Sequence, residues 1–172
     1  TDYARYAERH PKLAGTSHVA EELLGRAAYG VSELGREAIS EAAIVGNPGC
    51  FAVGMILGLA PVFNDGLVAD GIVTVDGLTG SSGAGKAPSP LQHLSHLNDN
   101  VIPYRVLNHQ HVIESEFTLG RLGQASGAEL DFVPHLLGTT RGILSTMHMR
   151  LNQSVSRESL LERYREFYEG DH

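Results

Sequence analysis

The sequence is poor in cysteine, in tryptophan and in long hydrophobic runs. The single cysteine, Cys50, excludes an internal disulfide framework and a zinc site built from several thiolates. The absence of tryptophan and the low aromatic content of 6% argue against a protein that stacks the bases of single-stranded nucleic acid. No apolar run approaches the roughly 18 residues of a membrane-spanning helix, and residues 1–10 contain no signal-peptide core. We therefore expect a soluble, cytoplasmic chain with no membrane partner.

Positive charge is also scarce. The 13 lysine and arginine residues stand against 20 aspartate and glutamate residues, which gives a formal net charge of −7 with histidine neutral. This balance argues against nucleic acid as the main partner. A chain of 172 residues with 42% hydrophobic residues is long enough to bury one core. The glycines cluster over residues 46–58 and 77–85, which indicates a built site rather than a linker.

The hydrophobic pattern predicts a mixture of helices and strands. Helical spacing or a capping residue predicts helices over residues 19–28, 32–42, 51–63, 112–122 and 156–168. Short apolar runs or alternation predict strands over residues 43–45, 71–79, 130–137 and 142–151. Residues 1–17 are predicted to be a loop or a frayed helix, and the polar, histidine-rich stretch 88–103 an irregular excursion.

Cys50 stands at the start of a predicted helix. If Asn47 caps that helix, with Pro48 in the first turn, the free N–H groups and the helix dipole favour a thiolate at Cys50. The same N–H groups, with the Asn47 side chain, are suited to hold the oxyanion of a tetrahedral adduct on the sulfur. The alternative interpretation is a small buried hydrophobic residue, and the local sequence favours neither.

A second group of polar residues is His109-Gln110-His111 followed by Glu114. A helix that starts there brings Glu114 within one turn of His111, so that the carboxylate orients an imidazole suited to general acid–base work. Two histidines one residue apart also fit a metal site on a strand, but no third ligand is evident nearby. We therefore predict no metal here.

Three further candidates are weaker. The glycine-rich loop over residues 80–86 is suited to cradle a phosphate with its N–H groups, with Lys86 adding charge, although it lacks the Walker pattern. Arg141 either binds a substrate carboxylate or pairs with a surface acid. His135 is either a structural histidine or a site residue.

Together these motifs resemble N-acetyl-gamma-glutamyl-phosphate reductase, the enzyme family of arginine biosynthesis. They are Asn47-Pro48-Gly49-Cys50, TGSSGAGK over residues 79–86, His109-Gln110-His111-Val112-Ile113-Glu114, and Pro134-His135-Leu136 with Arg141-Gly142-Ile143. The segment AYGVSEL over residues 28–34 resembles the family's stretch before the cysteine, so the resemblance covers nearly the whole chain. The sequence departs from the family at Gln110 and Lys86, where arginine is usual, and at Ile113, where proline is usual.

The resemblance implies an α+β fold. We expect a mixed β-sheet with helices on one face, as in a glyceraldehyde-3-phosphate-dehydrogenase-like C-terminal catalytic domain, assembled as a homodimer or homotetramer. Residues 1–46 then correspond to the end of the nucleotide-binding region and its lead-in segment. Residues 47–172 correspond to the catalytic and dimerisation domain, incomplete at its C-terminal end.

The resemblance also implies an activity: NADPH-dependent reduction of the acyl phosphate N-acetyl-glutamyl-γ-phosphate to N-acetyl-glutamate semialdehyde, through a thioester on Cys50. His111 is the expected proton carrier, with Glu114 orienting it and Asn47 as the oxyanion contact. Substrate contacts are expected from Arg141, His109 and His135, and cofactor contacts from Ser82, Gly83 and Lys86. Because most of the family's nucleotide-binding region is absent from the sequence, we expect the isolated chain not to oxidise NADPH.

Three other functions remain open at this point. A sister reductase of lysine biosynthesis acts on a carrier-protein-bound aminoadipyl phosphate with the same fold and chemistry. A non-catalytic oligomerisation module would keep the fold, but the presence of Cys50, His111 and Glu114 together argues against it. A cysteine hydrolase would use water as the acceptor and would leave the glycine-rich loop without a purpose.

Overall fold

The computed structural model describes residues 2–10, 14–123 and 127–171. The helices are α1 (Asp2–Arg9), α2 (Glu21–Leu24), α3 (Ser32–Glu41), α4 (Cys50–Asn64), α5 (Leu94–Leu97), α6 (Gln110–Leu119) and α7 (Arg157–Phe167). The strands are β1 (Ala27–Tyr29), β2 (Ile44–Gly46), β3 (Gly71–Thr79), β4 (Val101–Pro103), β5 (Ala128–Leu137) and β6 (Ile143–His148). Two short 3-10 turns, Ser81–Ala84 and Pro90–Gln92, lie between β3 and α5.

The larger sheet has four strands in the order β4-β5-β3-β6. Its two central strands, β3 and β5, run parallel, and the edge strands are antiparallel to their neighbours. Side chains alternate between the two faces along each strand, so paired residues of neighbouring strands share a face. The mixed sheet that the sequence predicted is therefore confirmed.

One face of this sheet carries the core. Val73 and Val75 of β3 and Leu130 and Phe132 of β5 are buried there, beneath α4 and α6. The helix α4 is apolar on most of its circumference because it is covered by the sheet on one side and by other helices elsewhere. It has 15 residues, and none of the helices in the described ranges is long and apolar enough to cross a membrane.

The opposite face of the sheet is left open by these helices. Leu144 of β6 is 63% exposed and Ile72 of β3 is 60% exposed, and neither side chain joins the buried core. Leu144 pairs with Leu78, so the two lie on this same face. The expectation of helices on one face is confirmed.

Two tyrosines fasten α7 to α4. Pro61 lies inside α4 and has no N–H, so the carbonyl oxygen of Leu57 one turn earlier lacks its usual helical donor. The hydroxyl of Tyr168 donates to that oxygen at 2.5 Å, and the hydroxyl of Tyr164 donates to the carbonyl oxygen of Gly58 at 2.6 Å. Ser156 caps α7 by accepting from the Ser159 N–H, as the sequence predicted.

The first part of the chain forms a separate small sheet. Strands β1 and β2 pair in parallel, with Ala27 opposite Ile44, and α3 connects them. The helix predicted over residues 19–28 is therefore wrong in its second half, since α2 ends at Leu24 and residues 27–29 are a strand. The helical spacing gave a wrong prediction there because residues Ala27 to Tyr29 pair with β2, and the local sequence does not reveal this distant partner.

Other predicted boundaries fall close to the observed ones. The strand over residues 71–79 is confirmed at both ends, and the helix predicted over residues 51–63 begins one residue earlier, at Cys50. The stretch 88–103, predicted to be irregular, contains the helix α5 and the edge strand β4. Pro103 is tolerated in β4 because an edge strand has one side that needs no ladder hydrogen bond.

Replacing Gly77 with alanine is expected to lower the free energy of unfolding by about 1–3 kcal/mol. A Cβ at this position would lie 2.7 Å from ring carbons of both Phe51 and Phe132, which are themselves buried in the core. Urea unfolding measures the change. Gly25→Ala is the matched control, because its Cβ would meet nothing within 4 Å and its φ of −71° suits alanine. Equal stability of the two variants would contradict the prediction.

Candidate active site

The N-terminus of α4 lies at the end of the sheet where β3 finishes. Along α4, a Cβ at Gly58 would meet Met147 and a Cβ at Gly54 would meet Ser145, so the helix approaches β6 closely at these two glycines. Met147 pairs with Val75 and Ser145 with Gly77, which shows that α4 runs opposite to β3. Cys50, one turn before Gly54, is therefore directed toward Thr79 and the glycine-rich loop that follows it.

Cys50 is the first residue of α4, and its side chain is exposed. The interpretation of Cys50 as a buried hydrophobic residue is therefore wrong. The helix cap is Gly49 rather than Asn47, and Pro48 precedes the helix instead of lying in its first turn. The first N–H groups of a helix have no partner within it, so the backbone around Cys50 still offers donors beside the sulfur.

Asn47 is exposed and stands between β2 and the cap of α4. Its Oδ1 lies beside Gly30, where a Cβ would meet it at 3.2 Å. The side chain thus faces the end of β1 through its oxygen. The predicted oxyanion contact of Asn47 stays a prediction.

His111 lies directly against Gly49. A Cβ at Gly49 would stand 2.7 Å from Cε1 of the imidazole and closer still to Nε2, so only glycine leaves room for this ring. Burial lowers the pKa of His111, and the charge of Arg105 acts in the same direction while Glu114 opposes it. His111 is therefore neutral at physiological pH, with Nε2 beside the residue that precedes Cys50, which is the form that accepts a proton.

Glu114 connects three parts of the site. Its Oε2 accepts from the N–H of Gly49 at 2.9 Å and from the hydroxyl of Tyr29 at 2.9 Å. Since Glu114 and His111 both lie on α6, the first bond fixes the start of α4 against the start of α6. Glu114 was expected to pair with His111, and in this arrangement the interaction is electrostatic. No hydrogen bond joins them, because Nδ1 of His111 is buried and has no hydrogen-bond partner within the described residues.

His109 is buried, with 6% of its surface exposed. Its Nδ1 accepts from the N–H of His111 at 3.3 Å and so caps α6. Its ring packs edge-on against Phe51 and Phe132, with centroids 5.6 Å and 5.4 Å away. Burial, followed by the charges of His111 and Arg105, lowers the pKa of His109 to about 4. The structure thus gives His109 a capping role that needs no contact with substrate, and its predicted substrate contact stays a prediction.

The glycine-rich loop is tied to the loop after β5. The N–H groups of Gly80, Ser81 and Ser82 donate to the carbonyl oxygens of residues 142, 139 and 140, and those of Gly83 and Gly85 bond within the loop. These five N–H groups are therefore not free to cradle a phosphate, and that expectation is wrong. Ser82, Gly83 and Lys86 remain exposed at the end of the sheet where Cys50 lies.

The two remaining predicted residues lie in different places. Arg141 is exposed in the loop that packs on Gly80, so the structure brings it to the same end of the sheet as Ser82. His135 follows the buried Pro134 on β5, so its side chain lies on the opposite face of the sheet from Pro134. It pairs with Leu78, which places it on the open face, away from Cys50. Within this chain it does not join the Cys50 cluster.

Sequence reasoning missed the roles of Tyr29, Tyr104 and Arg105. Burial raises the pKa of Tyr104, with the charge of Cys50 acting in the same direction, and its ring packs edge-on against His109 with the centroids 6.0 Å apart. Arg105 donates to Oε1 of Gln110 at 2.6 Å, and its backbone has a positive φ of 44°. A search for charge beside the two histidines would have found Arg105. No local signal marks Tyr29, because its partner lies far away in the chain.

A cysteine at a helix start, a neutral histidine beside it and a mixed sheet beneath them define the class of domain. Residues 50–172 match the family model described as "Semialdehyde dehydrogenase, dimerisation domain". The chain belongs to this family.

The curated relatives that the chain matches are named N-acetyl-gamma-glutamyl-phosphate reductase. The one from Methanocaldococcus jannaschii is 43% identical over 141 residues, which are 82% of this chain and 40% of the relative. The one from Geobacillus stearothermophilus is 38% identical over 169 residues, which are 98% of this chain and 48% of the relative. The resemblance inferred from the motifs is confirmed, and the chain spans about half the length of these relatives.

Solved structures show the same fold at low sequence identity. Aspartate semialdehyde dehydrogenase II from Vibrio cholerae, complexed with ASA, has a TM-score of 0.61 at 16% identity, covering 86% of this chain and 50% of that one. Aspartate semialdehyde dehydrogenase with NADP from Candida albicans has a TM-score of 0.57 at 13% identity, covering 84% and 45%. The catalytic-domain fold expected from the sequence is confirmed.

The low pKa of His109 makes the stability of the chain depend on pH. As the pH falls from about 7 to about 5, the unfolded chain protonates this histidine near its ordinary pKa of 6.5 while the folded chain does not. The free energy of unfolding is therefore expected to fall by about 2 kcal/mol over this range, with His111 adding in the same direction.

The variant His109→Asn tests this dependence. Asparagine keeps an oxygen acceptor at the cap of α6 but does not titrate, so urea unfolding of the variant should show less loss of stability on acidification. The exposed His93 supplies the control variant His93→Asn, which should keep the dependence of the unmodified chain. An undiminished dependence in His109→Asn would mean that another group causes it.

Proposed function

We propose that this chain carries the nucleophile and the proton carrier of an N-acetyl-gamma-glutamyl-phosphate reductase. The reaction is the NADPH-dependent reductive dephosphorylation of N-acetyl-glutamyl-γ-phosphate to N-acetyl-glutamate semialdehyde. The observation that carries the proposal is the exposed Cys50 at the start of α4, with Nε2 of His111 packed against the preceding Gly49. The names of the curated relatives support the substrate.

The first half of the reaction is acyl transfer to Cys50. Nε2 of His111 takes the thiol proton, and the sulfur attacks the carbonyl carbon of the acyl phosphate. The free N–H groups in the first turn of α4, with Asn47 as the predicted side-chain donor, stabilise the oxyanion of the tetrahedral adduct. The adduct collapses as the carbon–oxygen bond to phosphate breaks, which leaves a thioester on Cys50 and releases inorganic phosphate.

The second half releases the aldehyde. NADPH, when bound, supplies the hydride that reduces the thioester carbon. The same helix N–H groups hold the oxygen of the resulting adduct, and the carbon–sulfur bond then breaks to leave the aldehyde. The imidazolium of His111 returns its proton to Sγ of Cys50, so the site ends in the state in which it began.

The surface around Cys50 suits a nicotinamide. Ser82 and Lys86 are exposed there, and a Cβ at Gly83 would meet only the Thr79 hydroxyl at 3.5 Å, so the loop leaves open space beside the helix start. We assign Ser82, Gly83 and Lys86 to cofactor contact on this basis. Because most loop N–H groups are already bonded, their contact is with the reactive end of NADPH rather than with its phosphates.

We assign substrate recognition to Arg141 first. Its guanidinium is exposed on the loop that packs on Gly80, within reach of the same end of the sheet, and a planar fork suits a carboxylate. Arg105 bonds to Gln110 near the two histidines and is a second cation available to an anionic substrate.

We propose that residues 1–46 are the end of the nucleotide-binding region and residues 47–172 the catalytic and dimerisation domain. The parallel β1–α3–β2 unit supports this division, since it has its own small sheet and is built like a unit of a doubly wound fold. The family model begins at residue 50, close to this boundary.

Acylation of Cys50 tests the proposed chemistry without a nucleotide. Incubation with N-acetyl-glutamyl-γ-phosphate should release inorganic phosphate and add one acyl group to Cys50, detected by mass spectrometry as a hydroxylamine-sensitive adduct. The variant Cys50→Ala should give no adduct, and His111→Ala should slow its formation by about 100-fold. His93→Ala, an exposed histidine in another loop, should react at the full rate.

Two results would count against this function. Release of phosphate without an adduct in any sample would point to hydrolysis by water rather than acyl transfer. Faster acylation by a carrier-bound aminoadipyl phosphate than by the free N-acetyl substrate would assign the site to the reductase of lysine biosynthesis.

We further propose that the chain assembles as a homodimer or homotetramer through the open face of the sheet. Leu144 and Ile72 expose apolar surface there, and the dimerisation domain of this family supports the assembly. His135 lies on this face as well, so its place is at the subunit contact rather than near Cys50.

The variant Leu144→Lys is expected to shift the chain toward the monomer in light scattering, because the face pairs with itself across a two-fold axis and buries the new charge. Leu91→Lys is the control, since Leu91 is a similarly exposed leucine on the turn at residues 90–92, outside the sheet. An assembly that Leu144→Lys leaves intact would place the contact elsewhere.

A further inference from the structure

We propose that Tyr29 is a positioning residue for the Cys50–His111 pair, because its hydroxyl holds the Glu114 carboxylate on the Gly49 amide and away from the imidazole. The inference rests on the proposed function in one respect, which is that Cys50 and His111 are taken as the reacting groups. The contacts themselves do not depend on it. Tyr29 lies before the part of the chain that matches the dimerisation domain, so it reaches the site from outside that domain.

One carboxylate oxygen joins three segments of the chain. Oε2 of Glu114 accepts from the Tyr29 hydroxyl and from the Gly49 N–H, each at 2.9 Å. Tyr29 ends β1, Gly49 caps α4, and Glu114 lies one turn into α6. With both donors on the same oxygen, the carboxylate is turned toward α4 and β1.

His111 offers this carboxylate a competing partner. Its Nδ1 is buried and has no hydrogen-bond partner within the described residues, although Glu114 is only three positions further along the same helix. A carboxylate that lost the tyrosine hydroxyl would gain by turning toward this nitrogen, because an unpartnered buried polar atom is costly. The Tyr29 hydroxyl therefore keeps the carboxylate off Nδ1, and this helps to keep the pKa of His111 low while Nε2 faces the start of α4.

The other charged groups that face His111 do not depend on Tyr29. His109 and Arg105 precede α6, and Cys50 belongs to α4. The Tyr29 hydroxyl bonds to none of these groups, and Glu114 is the charged neighbour of His111 that loses a donor when the hydroxyl is removed. A change in the titration of His111 after that loss is therefore assigned to Glu114.

Tyr29 is suited to this role by its surroundings. Its ring packs against the buried cluster of Val31, Ala52 and Ile56, which holds the hydroxyl in place. Burial, followed by the charge of Glu114, raises the pKa of Tyr29, so the hydroxyl stays protonated and remains a donor over the whole working range of pH. Phenylalanine keeps the packed ring and removes only the donor.

The test is the NMR titration of His111 in Tyr29→Phe, followed on the imidazole nitrogens. We expect the pKa of His111 to rise by about half a unit or more, because the freed carboxylate interacts more strongly with the imidazolium. The amide signal of Gly49 should move upfield as its carboxylate acceptor turns away. Tyr164→Phe is the matched control, since it removes a tyrosine hydroxyl bonded to α4 at the carbonyl oxygen of Gly58, and it should change neither signal.

An unchanged His111 titration and Gly49 amide signal in folded Tyr29→Phe would overturn the proposal. If that variant fails to fold, 3-fluorotyrosine at position 29 tests the same link, because it keeps the ring and makes the hydroxyl a stronger donor to Glu114. The pKa of His111 should then fall, and an unchanged value would overturn the proposal equally. These readouts need neither substrate nor NADPH. A failure of Cys50 to form a thioester would therefore reject the proposed function without changing what the titration of His111 shows about Tyr29.

Discussion

The site depends on the contact between the imidazole of His111 and the backbone of Gly49. The ring occupies the space that any side chain at position 49 would need, so the starts of α4 and α6 are in direct contact there. The Gly49 N–H, which would otherwise be left unbonded beside the ring, is satisfied by Glu114 from the same helix as His111. A nucleophile and a base from residues far apart in sequence are thereby held together by backbone geometry rather than by a direct side-chain bond.

Much of this arrangement is visible in the sequence because its signals are local. The strand over residues 71–79 alternates apolar and polar residues, and Ser156 marks the start of α7, so both were predicted correctly. Cys50, His111 and Glu114 were found because reactive residue types stand beside glycine and at helical spacing. The structure adds their proximity, which no single segment contains.

What could not be predicted depends on partners distant in the chain. Ala27 to Tyr29 have helical neighbours on one side but pair with β2, so their strand is a tertiary effect. The glycine-rich loop looks like a phosphate cradle until the carbonyl oxygens of residues 139–142 are seen to take its N–H groups. Pro61 leaves the carbonyl oxygen of Leu57 in α4 without its helical donor. The hydroxyl of Tyr168 donates to that oxygen instead, and the local sequence does not show this.

The order of the strands has a consequence for how the molecule is made. The central strand β3 has no neighbour close to it in sequence, since one partner begins at Ala128 and the other at Ile143. Bringing such distant segments together is slow, because the chain loses the entropy of closing the loop before any contact between the strands stabilises it. During synthesis, one edge of β3 stays uncovered until the ribosome has passed β5, and the other until it has passed β6. The reactive cysteine is thus present on the growing chain long before the sheet beneath its helix is complete.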